Sequence, residues 1–316
     1  MLVVIGTTTL DIFMTGLEDL PTPSGDEFTP ESISFTGDPP TMTLGGNGAN
    51  SAYVAAGLGA DTVLCSVVAD DAAGSMLSDW LEARGVGLQG LRRDGSATSM
   101  TIVATDRDRA RLSFHHPGSG RAYTPDHLPV GLIEAADNLL LSGYHLLSGM
   151  RGDAGARLLE RAQAAGTTTA LDVGPIVPPP ATEAEWIAVL PHTDYLIGNE
   201  YELLTCTGTT SLDDAASALL DSGAGTVVAK LGAAGAAGFS ASGRIDAPGF
   251  PVDVLSTVGA GDSFNAGVLA SLSNGQNLAA ALGFGNAVAA LVISSGRGVL
   301  DGPSPSDVTS ILGRAG

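Results

Sequence analysis

Residues 256–267 read STVGAGDSFNAG, and a further apolar stretch, VLASL, carries straight on from them. Small residues crowd one carboxylate, Asp262. Apolar spacing predicts a helix here, over 261–272, with Phe264, Val268, Leu269 and Leu272 on one side. The first amides of a helix have no partner within it, and their summed dipole favours an anion. Gly259 and Gly261 let a ligand come close to that backbone. On these residues alone two readings stand. Asp262 is an ordinary first-turn acid, worth ~0.3–1 kcal/mol to the helix, or it is a carboxylate placed for chemistry beside an anion site. No G-x-x-x-x-G-K-[ST] occurs, so a Walker-type loop is excluded.

Short apolar runs precede this stretch, at 2–5, 62–69, 138–141, 167–171, 195–197 and 226–231. Runs apolar on both faces suit strands buried between two helical layers. Helical spacing fills the intervals, at 50–58, 72–84, 151–165 and 212–221. The alternation predicts an α/β fold, three layers around a mostly parallel sheet. A second kind of strand has one wet face: Ile33 and Phe35, Met42 and Leu44, Met100 and Ile102, and Leu112 and Phe114 alternate with Ser and Thr. The stretches 97–105 and 110–115 flank Asp-Arg-Asp, a hairpin turn. Segments at about 12–17, 31–44 and 97–116 therefore predict a small β-sheet lid that keeps water from a site. Residues 1–316 are read as one domain, with VPPPA at 177–181 a stiff loop rather than a linker.

Composition narrows the class. Apolar residues make up 44% of the chain, ample for a core, and no apolar run approaches the ~20 residues that span a bilayer. MLVVIGTTTLD lacks a basic n-region, so it reads as a first buried strand and not as a signal peptide. Cys65 and Cys206 sit in apolar contexts and outside metal-ligand spacing, which predicts buried thiols in a cytoplasmic protein. A net charge of −20 disfavours nucleic acid and anionic membranes as partners. Lys230 is the only lysine.

A second glycine cluster, LGGNGANSAYVAAGLGA at 44–60, fails the dinucleotide fingerprint because it follows an alternating strand and spaces its glycines wrongly. Gly46 would bring backbone close to a small polar ligand, and Asn47 and Asn50 offer donors and acceptors at a helix start, or simply cap it. Taken together, this stretch, GNEYE at 198–202, KLGAAGAA at 230–237 and STVGAGDSFNAG resemble, in order, the motifs of the ribokinase or PfkB-type carbohydrate kinase family. The similarity spans nearly the whole chain.

The resemblance implies a ribokinase-like fold with Rossmann-like strand order. It implies phosphoryl transfer from ATP, with Mg²⁺, to a hydroxyl of a small sugar or sugar acid. Asp262 matches the family's catalytic base, and Gly259, Ala260 and Gly261 match its anion hole. A loose phosphoryl transition state needs positioning and charge stabilisation more than a strong base, which suits that division. Asn199 and Glu202 match an N-x-x-E motif that works near Mg²⁺ through phosphates and waters, although the same pair reads as a capping box. Gly232 and Gly235 would carry the nucleotide on backbone, Lys230 would face its phosphates, and Asn286 resembles the position beside adenine. Asp11, Gly46, Asn47 and Asn50 form the implied substrate set, with Phe114 or His116 added from the lid. Family members often dimerise through their lids, and here Ile33, Phe35, Met42, Met100 and Leu112 would supply the contact in a homodimer.

Departures qualify the match. Ser256 replaces the usual Asp of the second signature, which puts K⁺ activation in doubt. Asn47 replaces a lysine and Thr9 an asparagine found in ribokinase, so ribose is not favoured. A nucleoside kinase needs aromatics in the lid, where only Phe114 and Phe35 are available. A sugar-phosphate kinase could draw on Arg92, Arg93, Arg107, Arg109 and Arg111. A sensor that binds sugar or nucleotide without turnover is the reading from a different class.

Overall fold

The structure, a computed structural model, describes all residues except Pro23, Ser24, Phe28, Ser96, Arg109, Arg121, Ala122, Gly296 and Gly316, and only the backbone of Arg314 and Ala315. Arg109, a candidate phosphate ligand in sequence, therefore lies outside the described residues. The chain opens with β1 (Leu2–Ile5), then β2 (Thr9–Leu17), β3 (Thr41–Gly45), α1 (Asn47–Gly57), β4 (Thr62–Val68), α2 (Ala72–Ala83) and β5 (Gly87–Arg93). A hairpin, β6 (Ser99–Asp106) and β7 (Arg111–His116), leads to β8 (Asn138–Leu141), α3 (Asp153–Ala164), β9 (Thr168–Asp172), α4 (Glu183–Val189), β10 (Tyr195–Asn199) and α5 (Glu200–Thr207). The last part holds α6 (Leu212–Asp221), β11 (Thr226–Lys230), β12 (Ala236–Ser240), β13 (Gly243–Ala247), α7 (Ala260–Ser273), α8 (Leu278–Ile293) and α9 (Pro305–Ala315).

Nine strands make the main sheet, in the order β13-β12-β11-β10-β9-β8-β1-β4-β5. Every pair is parallel except β11 with β12 and β12 with β13. Strand alternation feeds two apolar layers. Val3 and Ile5 of β1 pack with Leu158 and Leu159 of α3, Trp186 of α4 and Leu219 of α6. Leu2 and Val4 point the other way, to Ala52 of α1, Leu77 of α2, Leu269 of α7 and Val288 of α8. None of the helices among the described residues is long and apolar enough to cross a membrane.

The chain runs outward from β1 through β4 to β5, then returns to β8 on the other side of β1. Strand order thus reverses between β1 and β8, and ligands of open parallel sheets bind beyond the carboxyl ends of strands at such a point. The start of α1 is pressed into this crevice. A Cβ on Gly48 would lie 2.5 Å from Gly6 Cα, and one on Gly46, where φ is 87°, would lie 2.5 Å from the Thr7 carbonyl oxygen.

Four strands form the smaller sheet, in the order β3-β2-β6-β7. One expected lid strand is missing: Ile33 and Phe35 lie outside regular structure, after a 3₁₀ turn at Pro30–Ser32. Pro39 and Pro40 lack the N–H a ladder needs, so pairing resumes only at Thr41.

Gly48→Ala should destabilise the protein by ~1–3 kcal/mol, as overpacking does. Urea unfolding of the variant measures it, and because backbone meets backbone here no rotamer change can relieve the contact.

Candidate active site

Helix α7 opens on Gly259, whose φ of 75° is left-handed and whose Cβ position lies 2.5 Å from Val299 Cγ1. Glycine is required there on both grounds. No side chain caps this helix start, though the Ala260 N–H turns to the Thr257 carbonyl at 3.3 Å. Asp262, in the first turn, is buried and held by α1. Asn50 Nδ2 donates to its Oδ2 at 2.8 Å, and Asn47 Nδ2 donates to its Oδ1 at 3.2 Å. Burial pushes the Asp262 carboxyl up to about 7 and the charge of Asp172 adds to this, while Asn50, Lys230 and Asn47 oppose it.

Asp172, at the end of β9, was not singled out in sequence. It is fully buried, accepts from the Gly143 N–H at 3.2 Å and pairs with Lys230 Nζ at 2.8 Å. Burial works against the Lys230 ammonium, but Asp172, Glu202 and Asp262 together hold it protonated, above the ordinary lysine range. Nζ also reaches the anion-site backbone, 3.3 Å from where a Cβ on Gly261 would be. Asn199 and Glu202 cap each other at the start of α5: each backbone N–H donates to the other's side chain at 2.8 Å. The Glu202 carboxyl is pushed up, first by burial and then by Asp172, with Lys230 opposing.

Two cavities flank this cluster. The smaller, about 260 Å³, lies under the lid and is lined by Thr7, Thr9, Asp11, Gly46, Asn47, Ser99, Thr101, His115, Pro117, Leu146, Pro175 and Val177. Burial pushes the Asp11 carboxyl up to about 6, against a hydrogen bond from Thr101 and the charge of Arg111. A Cβ on Gly45 would stand 2.3 Å from that carboxylate, so glycine is what leaves it room. Phe114 and His116 are not in this cavity. Thr101 pairs with His115, so residues one step either side of His115 face away from it, and Phe114 is 62% exposed. None of the described arginines lines it: Arg92 pairs with Asp94, Arg93 with Asp70 and Arg107 with Glu18, while Arg111 bonds to Ser113.

The larger cavity, about 660 Å³, runs from Ala260, Gly261 and Lys230 past Gly232 and Gly235 to an apolar wall of Phe250, Val254, Phe264 and Ile293. Gly235 is obligatory, since a Cβ would lie 2.2 Å from the Ala247 carbonyl oxygen. Asn286 lines this cavity with its amide already committed, Nδ2 donating to the Ala247 and Pro248 carbonyls at 3.0 and 3.1 Å. It fixes the cavity's floor and has no donor left to aim at a base edge.

A helix start that favours anions, opening on a glycine-lined cleft and tied through Asp262 and Asn47 to a second cavity, suits an enzyme that moves a phosphoryl group to an alcohol. Residues 1–304 match the family model described as pfkB family carbohydrate kinase, and the chain belongs to that family. An ATP-dependent ribose-1-phosphate kinase of Halopiger xanaduensis is 31% identical over 271 residues, 85% of this chain and 86% of that one. A 5-dehydro-2-deoxygluconokinase of Shouchella clausii is 26% identical over 283 residues, 86% and 87% of the two chains. Arabidopsis thaliana ribokinase, solved with ribose and ATP, superposes with a TM-score of 0.82 at 25% identity, covering 98% of both chains. The ribokinase-like α/β fold expected from sequence is present.

At the position where a monovalent cation was in doubt, the Ser256 hydroxyl accepts from the Val258 N–H at 3.2 Å. The nearby Ile293 carbonyl accepts from Leu255 and Ser256 N–H groups at 2.9 and 3.2 Å. Ser256 brings no carboxylate to this position.

Lys230→Met should cost ~3–5 kcal/mol of stability by leaving Asp172 buried without its cation. Adding Asp172→Asn, which can still accept from the Gly143 N–H, should recover at least half of the loss in a denaturant titration.

Proposed function

We propose that the chain transfers the γ-phosphoryl group of ATP to a hydroxyl of a small sugar, with Asp262 as catalytic base. One observation carries this: Asp262 sits between the two cavities, bonded to Asn47 of the smaller and beside Gly261 of the larger. MgATP, when bound, supplies the phosphoryl group and a divalent charge on its phosphates. The larger cavity fits it, with Gly232 and Gly235 for close approach, an apolar wall for the base, and Lys230 at the phosphate end. Glu202, its carboxyl pushed up chiefly by burial, would stand behind the Mg²⁺ waters.

The two Asp262 oxygens have different tasks in this reading. Asn50 anchors Oδ2 from a buried position. Asn47 makes the longer bond to Oδ1 at the edge of the sugar cavity, and the incoming hydroxyl takes its place there. Oδ1 then orients that hydroxyl and accepts its proton late in the transfer. The amides opening α7, Gly259 and Gly261 above all, stabilise charge gathering on the phosphoryl oxygens. Asp11, Asn47 and Gly46 hold the sugar. A sugar is favoured over a nucleoside because Phe114 turns outward and Phe35 is 81% exposed, which leaves the cavity without either as a stacking partner.

The smaller sheet serves as the lid, and its outer face as a homodimer contact. Met42, Ile12, Ile102 and Phe114 form one row across all four strands. Met42 and Phe114 are 47% and 62% exposed.

Asp262→Asn should lower kcat by at least ~10²-fold, measured by coupled ADP release over a panel of sugars. Only ionised Asp262 accepts a proton, so wild-type kcat/KM should rise tenfold per pH unit up to about 7 and level off above it. Tight ATP binding with no turnover on any sugar would instead favour a sensor. The double variant Met42→Lys, Phe114→Lys should sediment as a monomer where the wild type sediments as a dimer.

A further inference from the structure

The inner face of the lid carries a row of polar side chains that runs past Asp11. Asp11 of β2 pairs with Thr101 of β6, and Thr101 pairs with His115 of β7, so the three project to the same side. All three line the cavity beneath. Thr101 is bonded at both ends: its hydroxyl bonds to the Asp11 carboxylate, and its Oγ1 lies 3.1 Å from His115 Nδ1. An ionised carboxylate only accepts, and a hydroxyl has one proton to give. With Asp11 ionised, Thr101 therefore donates to Asp11, and His115 Nδ1–H donates to Thr101. The relay couples Thr101 and the Nδ1 side of His115 to the Asp11 charge.

We propose that Thr101 and His115 are specificity-determining residues which, with Asp11, read the hydroxyls of an uncharged polyhydroxyl substrate and turn away its phosphorylated and carboxylated counterparts. This deepens the kinase reading above and rests on it. The charge of the site argues for it. Asp11 brings a negative charge to the cavity, and no Lys or Arg is among the described residues lining it. Among the described residues, the arginine on this face of the smaller sheet, Arg111, lies further along β7 and is turned onto Ser113, its Nε 2.9 Å from Oγ. An anionic group entering beside Asp11 would meet a like charge, with no cation among the described residues that line the cavity and Arg111 acting only from further along the strand. The hydroxyls of Thr7, Thr9 and Ser99, the Asn47 amide and His115 instead match a ligand that both donates and accepts.

The test uses the full chain with ATP and Mg²⁺. Fructose and ribose are compared with fructose 6-phosphate, ribose 5-phosphate and gluconate, by turnover and by calorimetric binding without ATP. Uncharged sugars should lead their anionic counterparts by at least ~100-fold in kcat/KM and in affinity, since a like-charge juxtaposition costs several kcal/mol. Thr101→Val should raise KM for the sugar roughly 10-fold with kcat nearly kept, and Thr101→Ser should restore it. His115→Phe should behave like Thr101→Val, and His115→Asn, which can still donate from the Nδ1 position, should recover part of that KM loss. Equal or better binding of a phosphorylated sugar or of gluconate overturns the proposal and makes Arg111 the anion's partner. Loss of kcat with unchanged KM in Thr101→Val overturns it too. Failure of turnover on every substrate sinks the kinase reading alone, because the calorimetric ratio still decides this one.

Discussion

A carboxylate buried at the start of a helix must be stabilised without being neutralised, and the way Asp262 meets that demand organises the rest of the molecule. Its two oxygens are held by two neutral amides, Asn50 and Asn47, both from the first turn of α1. Neutral donors offset part of the desolvation without lending the site a full positive charge, so the carboxyl stays near 7 and does not fall to the ordinary aspartate range. A basic residue in place of either asparagine would pull the pKa down and make a poorer proton acceptor. The geometry has to be equally exact for this to work. Gly48 meets Gly6 just beyond β1, and Gly259 meets Val299, so the starts of α1 and α7 are each held at a position that leaves no room for a side chain.

Charge around this centre does not balance. Lys230 answers three carboxylates, Asp172, Glu202 and Asp262, and burial works against all of them. Asp172 takes the direct ion pair, which leaves Glu202 and Asp262 with raised pKa values. A cluster with excess negative charge is primed for a cation that arrives with its own phosphates, and it needs no set of protein ligands to do so. Among the described residues no group of three metal-ligating side chains converges anywhere. In the proposed kinase reading the helix start of α7 would face the anion and Glu202 the cation, with Lys230 close to the first and coupled by charge to the second.

Most of the main sheet was readable from apolar runs bounded by Gly, Asp or Asn, because strands buried on both faces have no other composition open to them. Where that signal failed, the residues explain why. β5 carries two glycines and two arginines in GLQGLRR, β12, AAGFS, is built mostly of small residues, and β13, GRIDA, is a polar edge strand. The glycine-opened helix starts were readable too, since their chemistry is local. Asp172 was not, for a lone acid at a strand end looks like any turn residue until Lys230, far along the chain, is placed beside it. Asn199 and Glu202 show the reverse: one spacing fits both a capping box and a ligand pair, and the cap is formed. Alternation in the lid marked which residues share a face but not which face meets the cavity. Phe114 was placed inward and His115 passed over for that reason alone.

That last point bears on how the lid can carry two functions. In a strand, one step of register moves every side chain to the other face. Here the inner face holds Asp11, Thr101 and His115, and the outer face holds Met42, Ile12, Ile102 and Phe114. A slip of one residue would put a carboxylate among exposed apolar groups and a phenylalanine into a polar cavity. Two features pin the register near the hinge with the main body. Thr9 and Ser99 pair through their hydroxyls at 3.1 Å. Gly45, opposite Thr9, leaves room for the Asp11 carboxylate. Substitution at Gly45 would therefore disturb substrate reading and lid register together, although its own side has nothing to offer a ligand. The small sheet thus has two chemically distinct faces, a polar one that lines a cavity and an apolar one that is partly exposed.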